Sequence, residues 1–251
     1  MNPVKKIAVV PLLVLVFVWS SCSKGGDGPP ATGGNGGGTL NGNCVLTSIS
    51  QVNSGVGVES SLRVLYSSNG EVSRLIVHDS VLNKSSLDAT FTYITQDSVR
   101  LGPYQYLLLD GSKRVIRFVT KTDLSRPLQA DTYVFNYTYN SEGFLTTKDL
   151  YINGSKKANF RTTYSYFNQL LTGCNMSIPS AGNQKVLEST LTYDDKTTIK
   201  NWIYTFPDAM EGYPFLTILN FGKKVNHPLT RVVSKIYNPE NGNLLDTWTT
   251  D

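Results

Sequence analysis

The chain has 251 residues, 40% of them hydrophobic and 17% charged, with a formal net charge of +4. Beyond a leader and a linker that length supports about one globular domain, and the few surplus cations form no basic run, which argues against nucleic acid as a partner. Fourteen tyrosines, ten phenylalanines and three tryptophans stand against two histidines, a composition that favours strands over histidine catalysis.

Residues 1–21 read as a signal peptide. Lys5-Lys6 is a charged start, and Ile7–Val18 is an apolar stretch interrupted by Pro11. It is short for a bilayer span, which takes ~20 residues, and suits a signal h-region. Ser20-Ser21 precede Cys22, and small residues before a Cys after an h-region resemble the lipobox of bacterial lipoproteins. That resemblance implies acylation of Cys22, cleavage before it and an outer-membrane lipid anchor in the cell envelope. Two or three acyl chains anchor stably where one does not. Which face of the membrane carries the domain stays open. Loss of Lys5 and Lys6 with the leader leaves 21 basic and 19 acidic residues, a net +2.

Residues 22–43 are the lipidated N-terminus and a tether. Nine glycines and two prolines fall between Gly25 and Asn43, so this stretch buries no core and acts as a spacer of ~24 Å when coiled. GGNGGG is no phosphate loop, because no Lys-Ser/Thr follows it.

Residues 44–251 read as a single mainly-β domain of serial antiparallel hairpins, forming one long curved and twisted sheet. Leu62–Tyr66, the turn Ser67–Gly70 and Val72–Val77 form the first clear hairpin. Asp88–Tyr93 and Val99–Leu101 flank a polar turn at Ile94–Ser98. Tyr104–Leu109, Asp110-Gly111 and Val115–Val119 make the next hairpin, and residues 120–132 a polar connection.

The central unit is Tyr133–Leu150. Tyr133, Phe135, Tyr137 and Tyr139 recur with period two, placing four aromatics on one strand face. Asn140-Ser141-Glu142-Gly143 is turn chemistry, with Gly143 free to take φ > 0, and Phe144–Leu150 returns. The spacing from Tyr139 to Gly143 repeats that from Tyr66 to Gly70. Asn153-Gly154 is a turn, Thr162–Tyr166 with Leu170-Leu171 is a hairpin without a turn glycine, and residues 177–185 are a loop. Leu191–Tyr193, Asp194–Lys196 and Thr198–Ile203 are read as a further hairpin, and Val232–Tyr237, Asn238–Gly242 and Leu244–Trp248 as the last. Between them, residues 207–222 read as one short helix, with Pro214 in a first turn and Gly222 at its end; a buried strand is the alternative. The final strand either forms a sheet edge or takes a partner strand.

Candidate site residues are few. Cys44 and Cys174 could bridge in an oxidising envelope or stay two small buried hydrophobes. Trp202, Trp248, Tyr137 and Tyr139 could stack on a glycan or be cross-strand core pairs. His78 and His227 have no zinc spacing, so no metal and no cofactor is expected. Asp194-Asp195 fit a turn, and Asp208 with Glu211 fit a helix start better than an acid/base pair.

The Tyr-x-Tyr-(Asn/Ser/Asp)-x-x-Gly-x-Leu units resemble YD-type repeats. With Cys22, Cys44–Ile49 and the Phe221–Lys224 and Asn226–Leu229 stretches, the chain is similar over residues 44–251 to a family of Bacteroidetes lipoproteins of unknown function. The resemblance implies a curved antiparallel sheet, a late short helix and no catalytic residues. The expected function is a non-enzymatic binding or protein-interaction module, its partner an outer-membrane protein or a glycan. The alternatives are a polysaccharide hydrolase working through loop carboxylates and a lipid-carrying half-barrel.

Overall fold

The computed structural model describes residues 48–53, 58–68, 70–79, 84–121, 125–198 and 219–250. They form antiparallel strands in two sheets, and within each sheet the strands pair in chain order. A four-stranded sheet comes first: β1 (Ser48–Asn53), β2 (Val58–Tyr66), β3 (Val72–Asp79) and β4 (Lys84–Thr90). A large open sheet of eleven strands follows. Its first half is β5 (Thr92–Thr95), β6 (Ser98–Gly102), β7 (Gln105–Leu109), β8 (Val115–Lys121), β9 (Thr132–Tyr139) and β10 (Leu145–Ile152). Its second half is β11 (Phe160–Phe167), β12 (Leu170–Ile178), β13 (Gln184–Tyr193), β14 (Leu229–Tyr237) and β15 (Leu244–Thr250), so β5 and β15 are its edges. Among the described residues the one helical turn is the 3-10 turn Pro179–Ala181.

The long antiparallel sheet expected from the alternating pattern is present, and the pattern explains its two faces. Leu107, Phe118, Phe135, Leu150 and Phe160 stand opposite one another across five consecutive strands. One residue away, Leu108, Arg117, Asn136, Asp149 and Arg161 form the matching row on the other face. The period of two thus splits the sheet into a core side and a solvent side. Phe118 and Phe135 stack at 5.9 Å on the core side. On the solvent side Arg161 makes a bidentate pair with Asp149, at 2.7 and 2.8 Å. One hydrophobic cluster runs from Val64, Leu75, Ala89 and Phe91 through Leu107 and Phe135 to Cys174 and Leu191, joining both sheets.

Three hairpins share one turn. In each, the first residue donates its N–H to the carbonyl four residues on, and the fourth residue donates back to the first: Ser67 with Glu71 and Gly70, Asp110 with Arg114 and Lys113, Asn140 with Phe144 and Gly143. The fourth position is left-handed in all three, with φ of +81°, +60° and +92°. In the middle copy Lys113, not Gly111, takes that position. The Asp110 carboxylate compensates by accepting the Ser112 and Arg114 amides, each at 2.9 Å.

The structure corrects two boundaries. Asp88–Tyr93 is not one strand: Phe91 is buried and still donates its N–H to Ser73 O, and beyond it the chain leaves β3 to pair with β6. Of the hairpin read at 191–203, Leu191–Tyr193 ends the ten-residue strand β13 and pairs with β14; residues 199–203 of its return strand lie outside the described residues. The helix read at 207–222 falls mostly on residues 207–218, also outside them. Its last four residues are not helical, and Gly222 instead forms a bridge with Phe144.

Candidate interaction surface

Several sequence-predicted site residues, Cys22, Cys44, Trp202, Asp208 and Glu211, lie outside the described residues. Cys174, on β12, is 0% exposed between Tyr164 and Ser189 in the register. His78 lies on β3. His227 Nδ1 is 3.2 Å from the Asp194 carbonyl oxygen. Asp194 is a turn residue: it accepts the Thr197 hydroxyl at 2.5 Å and the Lys196 amide at 3.0 Å, which hold its carboxyl below the usual range. Among the described residues no group of His, Cys, Asp and Glu could hold a metal ion.

The two central tyrosines are placed in the architecture. Tyr137 is 3% exposed, its ring 5.0 Å from Phe221 in an edge contact, so it offers no ring face for a sugar. Tyr139 donates its hydroxyl to Val115 O at 2.5 Å and carries the Arg114 guanidinium 4.5 Å from its ring centre. Both tyrosines serve a clasp that sequence reasoning missed. Residues 219–225 cross the turn ends of β7–β8 and β9–β10. Asn220 accepts the Val115 N–H at 2.8 Å and donates from Nδ2 to Ser112 O at 3.2 Å. Phe221 is buried at 0% exposure, and Lys223 donates its N–H to Gly143 O at 2.8 Å. The signal was present in Phe221-Gly222, an aromatic beside a glycine, but it also fits a helix end.

Lys224 follows on the clasp, and burial lowers its ammonium to about 8. Tyr193, at the end of β13, has its hydroxyl pushed up by burial. On the solvent side of β13, Glu188 accepts the Tyr237 hydroxyl at 2.7 Å and the Lys185 ammonium at 3.2 Å, and its carboxyl is held low in consequence.

Chemistry available for recognition collects at the β15 edge. Six of its seven residues have a partner on β14, Trp248 lying opposite Ser234. The Trp248 indole N–H donates to Asp246 Oδ2, and the same carboxylate's Oδ1 accepts the Thr247 N–H at 2.8 Å. Leu244 and Leu245 are 54% and 61% exposed, and the register shifts between Ile236 and Tyr237, bulging β15 at Leu245. Bulges are frequent at sheet edges, where they re-aim side chains. Next to this edge, Leu187, Val232 and Ile236 on the core face are half-buried.

No protein-family model matches the chain, and no curated protein matches its sequence. Solved structures do. A porin-like protein from Bacteroides uniformis is 16% identical with a TM-score of 0.53, over 80% of this chain and 93% of that one. A porin-like protein from Bacteroides vulgatus is 12% identical with a TM-score of 0.47, over 81% and 91% of the two chains. At 16% identity the first likeness is one of fold.

Proposed function

We propose that this protein is a non-enzymatic interaction module of the cell envelope, held at the outer membrane by lipid on Cys22 and spaced from it by the glycine-rich tether. The observation that carries the reading is the β15 edge, where two leucines are exposed at the rim of an otherwise paired sheet. An open edge takes extended segments by strand addition, with main-chain bonds for affinity and side chains for selectivity. The shared turn of the three hairpins supports kinship with YD-type repeats, and the Bacteroides origin of the structural neighbours supports the envelope setting.

The neighbours' description as porin-like suggests a pore, but the side-chain distribution here favours a water-facing protein. A membrane barrel turns an apolar band outward, and an Arg or Lys at the bilayer midplane costs about 2–4 kcal/mol. The solvent-side row of this sheet carries the exposed Arg117 and Arg161 with the half-buried Asn136 and Asp149, while the apolar row packs inward.

A second reading, a lipid-carrying half-barrel, is favoured by the half-buried core face at Leu187, Val232 and Ile236. One experiment separates them: crosslinked pull-down of the tagged, full-length protein from producing cells, with mass spectrometry of both proteins and lipids. A specific protein partner supports the interaction module, and co-purified lipid without protein supports the carrier. If neither is captured and a glycan panel is also blank, the binding reading fails. Cys22→Ala in the same cells shifts the protein from the membrane to the soluble fraction; unchanged membrane association removes the anchor.

A further inference from the structure

Edge strands of soluble sheets are normally blunted by lysine, proline, a bulge or an inward charge, because unpaired main-chain groups attract other strands. β15, Leu244–Thr250, contains no lysine, arginine or proline. Its protection is the bulge at Leu245 and the Asp246 carboxylate, which turns back to take the Thr247 amide at 2.8 Å. That is how an edge amide is satisfied when no strand of the described residues lies beyond it. The opposite edge is a poorer receptor, since β5 has only four residues.

The sequence of β15 is complementary to itself in one antiparallel register. With a two-fold axis at Thr247, Thr247 faces Thr247 of the second copy, and Asp246 faces Trp248 in both directions. Leu245 faces Thr249, and Leu244 faces Thr250. The carboxylate-to-indole bond that each strand now makes within itself is then available across the axis, so release of the Thr247 amide leaves neither group without a partner. A register centred on Asp246 would instead oppose two carboxylates, which is destabilising. Seven paired positions supply about seven main-chain hydrogen bonds, within the usual 10 ± 5 of a protein interface.

We propose that the β15 edge pairs antiparallel with β15 of a second copy of this chain, about a two-fold axis at Thr247, extending the large sheet across both copies. This rests on the reading of β15 as the interaction surface and names its occupant. The contact is isologous and closes as a dimer rather than a fibre.

The test places single cysteines on exposed β15 positions of the full-length lipidated protein in producing cells, followed by oxidation and non-reducing electrophoresis. Thr247→Cys lies on the axis. Thr249→Cys lies two residues from it, so its copies are four residues apart along the strands, ~13 Å, beyond the ~7 Å Cα limit of a disulfide. Over the wild-type background, Thr247→Cys is expected to give at least tenfold more dimer than Thr249→Cys. Equal dimer from both, or none from Thr247→Cys, overturns the proposal. A photo-crosslinker on the same Thr247→Cys separates this failure from failure of the surface reading. Capture of a different protein overturns the second copy but keeps the surface, and capture of nothing overturns both. As an independent measure, the detergent-purified wild type is expected to run at the mass of two copies and Thr247→Lys at the mass of one. A wild-type monomer, or an unaltered dimer with Thr247→Lys, overturns the proposal.

Discussion

Gly222→Ala should unlock the clasp. Gly222 has φ of +88°, and a Cβ placed there would lie 2.1 Å from Gly143 O and 3.1 Å from two carbons of the Tyr139 ring. The obstructing oxygen belongs to a turn backbone, which cannot swing away as a flexible side chain could. Three costs combine. A left-handed conformation for a residue with a Cβ costs about 1–2 kcal/mol. Displacing the strap forfeits the Lys223 N–H bond to Gly143 O, about 1 kcal/mol. Lifting Phe221 partly out of the core, where it is fully buried against Tyr137, loses part of the ~1.5–3 kcal/mol of its burial. Together they come to about 4 kcal/mol, a large share of the ~5–15 kcal/mol that holds a domain folded. In a domain of this size that lowers Tm by roughly 8–16 °C. Urea and thermal unfolding of the wild type, Gly222→Ala and Gly182→Ala provide the measurement. Gly182 also has positive φ, at +71°, but a Cβ there meets nothing within 4 Å, so Gly182→Ala reports conformational strain alone. If Gly222→Ala costs no more than Gly182→Ala, the steric argument for the clasp is wrong.

The remaining predictions use the same unfolding measurements. Asn168 and Gln169 join β11 to β12 with φ of +49° and +64°, the backbone of a two-residue hairpin turn that prefers Asn-Gly; Gln169→Gly should therefore stabilise by about 0.5–1 kcal/mol, and a loss would refute the strain. Tyr139→Phe removes the hydroxyl that Val115 O accepts and should cost about 1–2 kcal/mol, whereas an unchanged midpoint would show the carbonyl satisfied by other means. Lys224 gives a pH signature. Its folded value, lowered by burial to about 8, lies below the usual lysine value of ~10.4. Between these pH values the unfolded chain holds the proton and the folded chain has lost it, so stability rises with pH. Below about pH 8 both states are protonated and the contribution is level. The window from pH 8 to 9.5 avoids ordinary tyrosine ionisation, and a wild-type slope no steeper than that of Lys224→Met would refute the desolvation of this ammonium.

Much of the sheet was legible because its signals are local. Alternation at Tyr133, Phe135, Tyr137 and Tyr139 needs only the two-residue period, and Phe135 and Tyr137 are indeed buried. The Tyr-to-Gly spacing at Gly70 and Gly143 marks a turn whose left-handed fourth residue is the one place where glycine costs least. Where another group could meet the same requirement, composition misled. Lys113 holds that position because Asp110 bonds the turn amides around it, which moved the turn away from the Gly111 that the sequence advertised. Asn168 and Gln169 do the same without any glycine.

What stayed hidden depended on distant chain segments meeting. The partner of β13 is β14, which begins at Leu229, and the apolar run after Asp194 looked like a nearer return strand. Nothing in a window around Tyr193 distinguishes the two. Gly222 is the sharper case. A glycine after an aromatic-rich run satisfies the rule for a helix end, and its φ of +88° is what such an end would have. Its reason is instead steric, the approach of Gly143 O from a hairpin 79 positions earlier in the numbering. A backbone contact of that kind leaves in the sequence only the requirement for glycine at position 222, and the sequence holds 21 glycines among which to find it. Tyr139 connects strap and seat: its ring lies against Gly222 and its hydroxyl reaches Val115 O. The repeated Tyr-to-Gly unit therefore serves twice, once as a hairpin turn and once as the seat of the clasp, and only the first use could be read before the fold brought the seat and the strap together.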